Sequence, residues 1–330
     1  MADASTPALI GLDWGTSSLR AFLFGADGTL LDRRCMGHGI QHLPAGGYAA
    51  AFLAVAKEWL DRVPGLPVIA AGMVGSRNGW REVPYVPCPA SPVAIAAGLV
   101  AFDTGHGVIH LVPGLSQSGP FPDVMRGEEV QILGGLLHDP MLAERSLFVL
   151  PGTHCKWADV EAGRVTQFTT YLTGELFELL REHSLLGRPA KESGPAGLAQ
   201  ALDRHTFVNG VAVARAGGAS GVMPRLFSTR SLFLSGELTP LQTLEYLSGL
   251  LIGEEIRSVL AGLNNAACPP VVLLGDPALC ARYQLALDTF GIPHVHCLNE
   301  TGPLGIWQIA QAAGIVSTPN NTQRRGTIHG

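Results

Sequence analysis

Apolar runs and their polar punctuation divide the chain into alternating strands and helices. Ala8–Asp13 predicts a buried strand ending on a carboxylate and the turn Trp14-Gly15-Thr16. Leu19–Gly25 reads as a second strand, Asp27-Gly28 as a hairpin turn and Thr29–Met36 as the returning strand. The spacing of Phe52, Val55, Ala56, Trp59 and Leu60 predicts a helix over Gly47–Arg62. Pro67–Gly72 reads as a buried strand that feeds a polar loop, Ser76-Arg77-Asn78-Gly79. Beyond a proline-rich loop come a small-residue helix over Pro92–Phe102, a strand over Val108–Pro113 and a helix over Glu128–His138.

The pattern then starts again. Ser146–Pro151 reads as a strand ending at Gly152-Thr153, followed by a hairpin around Ala162-Gly163 and a helix over Gly174–His183. Each half thus runs strand, Gly-Thr turn, hairpin and helix, which is an internal repeat. Long helices are expected over Ala196–Ala216 and Leu241–Leu263. A βαβα unit closes the chain, with Pro270–Gly275, Pro277–Phe290, His294–Leu298 and Pro303–Ala313. The expected class is α/β, with domains at 1–143 and 144–316 and a disordered polar tail at 317–330.

Composition narrows the function classes. The 330 residues include 22 basic and 27 acidic side chains, a formal charge of −5, which argues against a nucleic-acid partner. An apolar content of 47% argues against disorder. Val83–Phe102 is free of charge but holds four prolines, so it is no membrane span. The first residues lack the basic and apolar regions of a secretory signal. Six scattered cysteines without a C-x-x-C pair read as reduced thiols, and the expected location is the cytoplasm. Whether the chain forms a homo-oligomer is left open.

The chemistry gathers in four segments. A Gly15-Thr16-Ser17 turn between two strands offers N–H groups and hydroxyls to phosphate oxygens, and Asp13 suits Mg²⁺ held through water against them. The same spacing also describes a plain tight hairpin beside an aspartate. Pro151–Trp157 repeats the theme with Gly152, Thr153, His154 and Lys156, one of only three lysines; the plainer account of Lys156 is a solvated strand residue. Two such nests could clamp a polyphosphate, although no Walker A loop and no G-x-G-x-x-G after a strand is present.

The third segment, Gly72–Tyr85, places Ser76, Arg77, Asn78, Trp80, Arg81 and Glu82 in one loop, suited to a polyhydroxy acid. A solvent loop with a packed tryptophan is the alternative. In the fourth, Arg126, Glu128 and Glu129 open an otherwise apolar helix. Acidic residues there satisfy the helix dipole, or one of them serves as a general base. Neighbours on a helix point about 100° apart, so only one of the two glutamates can face a given cleft. His294, His296 and Cys297 lack a second ligand cluster for a zinc site, and no G-x-S-x-G elbow supports a serine hydrolase.

Asp13-Trp14-Gly15-Thr16, the Gly72–Tyr85 loop, Arg126–Glu129 and Pro151–Trp157 together resemble the 2-dehydro-3-deoxygalactonokinase family. Thr173–Leu180, Tyr246–Glu255 and the final Leu-Leu-Gly-Asp segment extend the resemblance over about residues 8–315. It implies two related actin-like (ribonuclease H-like) domains with an ATP cleft between them. The implied reaction is ATP-dependent phosphorylation of the C6 hydroxyl of 2-dehydro-3-deoxy-D-galactonate in galactonate breakdown. By the same resemblance Asp13 is placed for Mg²⁺, and Gly15, Thr16 and Ser17 form a first phosphate motif. Gly152 and Thr153 form a second, with Lys156 beside them, and Gly275-Asp276 an adenosine motif. Glu128 is the implied base, Glu129 its reserve, and Ser76, Arg77, Asn78, Trp80, Arg81 and Arg126 the sugar-acid ligands. A kinase of another sugar or keto-deoxy acid, or a non-catalytic actin-like ATP-binding regulator, are the rival readings.

Overall fold

The computed structural model describes residues 5–193, 203–263, 267–292 and 295–317. The chain divides into two compact units, one of Met1–Ala143, Glu161–Gln167 and Glu300–Gly330, the other of Glu144–Val160 and Phe168–Asn299.

In the first unit β1 (Pro7–Trp14), β2 (Leu19–Gly25) and β3 (Leu30–Met36) form an antiparallel meander. After α1 (Gly47–Arg62) the chain returns as β4 (Val68–Gly72), parallel to β1 and buried at all five positions. There follow β5 (Val86–Pro87), α2 (Pro92–Ala97), β6 (Val100–Asp103), β7 (Val108–Leu111), β8 (Leu115–Gln117), β9 (Asp123–Met125) and α3 (Glu128–His138). The main sheet runs β3-β2-β1-β4-β7-β6, while β5, β8 and β9 make a small second sheet. Ala51, Phe52, Val55, Ala56 and Trp59 form the buried stripe of α1 and join the core cluster that Ile10, Leu12, Val68 and Ala70 supply from the sheet.

In the second unit β10 (Arg145–Leu150), β11 (Cys155–Glu161) and β12 (Arg164–Tyr171), apart from the hairpin residues Glu161–Gln167 that group with the first unit, lead into α4 (Thr173–His183), α5 (Arg188–Glu192), α6 (Arg204–Arg215), α7 (Ser228–Leu234) and α8 (Gln242–Gly262). Then come β13 (Val271–Leu274), α9 (Pro277–Thr289) and β14 (Val295–Leu298), and the sheet order is β12-β11-β10-β13-β14. This repeats the order β3-β2-β1-β4-β7 of the first sheet. The architecture is therefore a duplicated α/β fold of the actin-like, ribonuclease H-like type.

The final helix, α10 (Gly302–Ala312), differs from the expected second domain of 144–316, because it belongs to the first unit. A Cβ on Gly134 would lie 1.8 Å from the Thr301 carbonyl oxygen, and one on Gly305 would lie 1.8 Å from that of Val130. Two glycines thus let α3 and α10 touch backbone to backbone, and Trp307 packs on Phe24 from β2.

The predicted helix over Pro92–Phe102 stops at Ala97. Gly98 caps it, and Val100–Asp103 turns into β6, antiparallel to β7. Ser91 caps the helix start by accepting the Ala94 N–H at 3.2 Å. The helix expected over Ala196–Ala216 is described from Arg204, where Asp203 caps it; residues 194–202, His294 and the tail from 318 lie outside the described residues. Among the described residues no helix is long and apolar enough to cross a membrane.

Candidate active site

In the first unit three of the sequence segments meet at the carboxyl ends of β1 and β4, the usual place for ligands in open α/β sheets. Asp13 pairs in register with Ala71, and Gly72 follows with φ of 91°. A Cβ on Gly72 would sit 2.7 Å from the Trp14 carbonyl oxygen, and one on Gly127 would lie 3.5 Å from the Cα of Gly72. The Asp13 turn, the Ser76 loop and the start of α3 are therefore adjoining backbones.

Asp13 binds Arg20 through Oδ2 at 2.8 Å. Burial pushes its carboxyl above the usual range, and the Arg20 guanidinium pulls the other way. Within the turn the Gly15 N–H donates to the Ser18 carbonyl at 2.9 Å, which leaves exposed Thr16 and Ser17 as the groups open to a ligand. Among the described residues no group of three His, Cys, Asp or Glu is placed to hold a metal ion. One carboxylate supplemented by phosphate oxygens and water is an ordinary Mg²⁺ donor set, so Asp13 fits that ion.

The Ser76 loop splits into two classes of residue. Ser76 is buried, and its Oγ has no hydrogen-bond partner. Arg77, Asn78 and Arg81 are exposed. Trp80 instead turns inward: its ring stacks on Tyr48 at 5.8 Å and 12°, and meets Trp14, Phe52 and Phe102. Partly buried, it packs against the core cluster and is no freely exposed platform. Arg126 is also committed to the fold, donating to the carbonyls of Val83 at 2.7 Å and Val112 at 3.3 Å and lying over the Tyr85 ring at 4.5 Å. Only its buried Nε lacks a partner.

The two glutamates at the start of α3 separate as their 100° offset requires. Glu129 is fully buried; its Oε2 accepts the Gly127 N–H at 2.7 Å, and its Oε1 has no partner. Burial, with the Glu128 charge adding to it, pushes the Glu129 carboxyl up to about 8, so at neutral pH it is mostly protonated. Glu128 keeps partial exposure and accepts the Arg126 N–H at 3.0 Å. A proton acceptor must be ionised and reachable, and Glu128 is the reachable member of the pair.

In the second unit the Gly152-Thr153 turn follows β10 and lines a cavity of ≈ 320 Å³. Phe177, Leu251, Ile252 and Leu279 give it apolar walls, with Ser248, Arg282 and Tyr283 as polar groups. Arg282 is held by both Glu245 oxygens, at 2.7 and 2.9 Å. Gly275 (φ 138°) precedes Asp276, whose Oδ1 caps α9 by accepting the Leu279 N–H at 2.9 Å. That capped helix carries Leu279, Arg282 and Tyr283 into the cavity wall. Lys156 is buried, not solvated, and its Nζ donates to Thr170 Oγ1 at 2.7 Å.

Thr173, Phe177, Ser248, Leu251, Arg282 and Tyr283 received no role from the sequence. Thr173 and Phe177 lie in Thr173–Leu180, and Ser248 and Leu251 in Tyr246–Glu255, which carry family resemblance without a chemical motif; Arg282 and Tyr283 had only the expected helix Pro277–Phe290 around them. Apolar wall residues look like any other core positions until the fold brings them together.

Residues 13–309 match the protein family described as 2-keto-3-deoxy-galactonokinase. The 2-dehydro-3-deoxygalactonokinase of Escherichia coli (strain K12) is 34% identical over 311 residues, covering 93% of this chain and 99% of its own length. A relative from Rhizobium meliloti (strain 1021), named "Probable 2-dehydro-3-deoxygalactonokinase", is 35% identical over 289 residues, 85% of this chain and 89% of its own. A crystal structure from Sinorhizobium meliloti, of a protein named "putative 2-dehydro-3-deoxygalactonokinase", superposes with a TM-score of 0.84 at 33% identity, over 92% of this chain and 98% of that one.

Proposed function

The chain belongs to the 2-keto-3-deoxy-galactonokinase family, and we propose that it transfers the γ-phosphoryl group of ATP to the C6 hydroxyl of 2-dehydro-3-deoxy-D-galactonate in the cytoplasm. The observation that carries this reading is the match over residues 13–309, which spans both Gly-Thr turns and both glutamates.

Phosphoryl transfer asks mainly for positioning and charge neutralisation. The unpartnered Ser76 hydroxyl takes a hydroxyl of the keto acid, while Arg77 and Arg81 hold its carboxylate and Asn78 a further oxygen. Arg126 acts indirectly, tying the segments around Val83 and Val112 to the start of α3. Glu128 accepts the proton of the attacking hydroxyl. Glu129, kept neutral by burial, adds no second negative charge where phosphates arrive. Mg²⁺ carried by Asp13 through water would neutralise phosphate charge, with Thr16 and Ser17 as neighbouring donors. Gly152 and Thr153 take phosphate oxygens, and the cavity beside them takes the nucleoside.

Glu128→Gln tests the assignment of the base. The expected result is a fall in kcat by about 10²- to 10⁴-fold, the usual range for general base catalysis, with ADP binding and the KM for keto acid retained. Unchanged turnover would remove Glu128 from the mechanism, and a regulator would show no keto-acid-dependent ADP release at all.

A further inference from the structure

One buried carboxylate has no part in the chemistry described above. Glu255 on α8 is 2% exposed, yet it is not among the residues lining the cavity. Its Oε1 accepts the Trp157 indole N–H at 2.5 Å, and its Oε2 accepts the Tyr283 hydroxyl at 2.9 Å. Burial holds its pKa above the ordinary carboxylate value, against the lowering pull of these donors. Two donors thus converge on one buried carboxyl, one on each oxygen.

The two donors come from segments that shape the nucleotide side of the site. Cys155 opens β11 directly after the Gly152-Thr153 turn. Thr173 opens α4, and its neighbour Gly174 packs so closely that a Cβ there would lie 2.3 Å from the Gly152 carbonyl oxygen. The Glu175 N–H completes the attachment, donating to the Thr153 carbonyl at 2.9 Å. Tyr283 and Thr173 both line the cavity. One side chain on α8 thus ties β11, which leaves the turn, to the α9 wall of the cavity, while Gly174 and Glu175 hold the start of α4 to the same turn.

We propose that Glu255 is the positioning residue of the nucleotide site, the buried acceptor that fixes β11 and the Gly152-Thr153 turn before it against the cavity wall formed by α9. This rests on the assignment of that cavity to the nucleotide. Acting through Trp157 and Tyr283, Glu255 governs nucleotide affinity without touching the nucleotide, and it has no share in holding the keto acid.

The test compares Glu255→Gln, Glu255→Ala and Trp157→Phe in the full chain, with Thr153→Val as a control on the exposed turn. KM is measured for ATP and for the keto acid, and ADP affinity by calorimetry. Glutamine keeps an acceptor for part of the network, alanine leaves the Trp157 and Tyr283 donors without their acceptor, and Trp157→Phe removes one donor outside the cavity lining. Outer-shell partners of metal ligands are worth about ten- to a hundredfold in affinity, and a rise in ATP KM on that order is expected here. The expected order of ATP KM is parent, then Trp157→Phe and Glu255→Gln, then Glu255→Ala, with the keto-acid KM unmoved. If the alanine variant does not fold, the other two carry the test.

A rise in ATP KM for Thr153→Val alone, with Glu255→Gln and Trp157→Phe at parental values, overturns the positioning role and leaves the nucleotide assignment standing. A parallel rise in both KM values overturns it as well, since that marks general loosening. Parental ATP KM in all variants, Thr153→Val included, instead removes the nucleotide from this cavity.

Discussion

Replacing Glu129 with glutamine separates the two glutamates by stability as well as by rate. In the folded chain the Glu129 carboxyl titrates at about 8 against an ordinary 4.5. The unfolded chain therefore binds fewer protons than the folded one between those values, and stability falls as pH rises through the window. The contribution is fully present below 4.5 and is lost as pH climbs through about 8. At about 1.4 kcal/mol per pH unit, the loss between pH 5 and pH 8 comes to about 3 to 4 kcal/mol. Glutamine does not titrate, keeps an oxygen for the Gly127 N–H and so escapes that loss. Urea unfolding of parent and variant at pH 5, 6, 7 and 8, followed by tryptophan fluorescence, measures the difference, since Trp14, Trp59, Trp80 and Trp307 all lie in the first unit. The gap should shift by about 3 to 4 kcal/mol in favour of Glu129→Gln across that range, with kcat within about an order of magnitude of the parent. Parallel pH profiles would show that Glu129 is ionised at neutral pH, and would return it to contention as the base.

Gly305→Ala should lower the stability of the first unit by about 3 kcal/mol or more, because the new Cβ cannot share space with the Val130 carbonyl oxygen and α3 must move away from α10. Calorimetric melting reads this, and an unshifted melting point would show that the two helices do not touch there. Trp80→Ala should cost about 3 kcal/mol through lost aromatic packing. In the folded fraction the keto-acid KM should stay at the parental value, whereas Arg77→Ala should raise it; the opposite pattern would make Trp80 a substrate platform after all.

Regular elements were legible in the sequence where periodicity and punctuation agreed. The helices Gly47–Arg62 and Glu128–His138 and the strand Leu19–Gly25 stand where the apolar pattern places them. The pattern misled over Val100–Asp103, where small apolar residues suit helix and strand alike and Gly98 decides between them. The short strands β5, β8 and β9 hold only two or three residues each, too few to show a period.

Candidate segments were legible where polar groups and glycine cluster, as in Asp13–Ser17, Ser76–Arg81 and Gly152-Thr153. Direction was not. Trp80 and Arg126 share those segments, but the aromatic cluster and the carbonyls of Val83 and Val112 turn them inward. Glu255 was hidden for the opposite reason: its donors Trp157 and Tyr283 arrive from β11 and α9, and no local pattern predicts that meeting.

The most direct test of the central claim is a panel assay with the purified chain, ATP and Mg²⁺, in which ADP release is followed by NMR identification of the phosphorylated product. The account predicts ADP release with 2-dehydro-3-deoxy-D-galactonate, phosphate on its C6 oxygen, and far slower turnover of galactose and of other sugar acids. Equal turnover of galactose, or ADP release that no keto-deoxy acid stimulates, would contradict it.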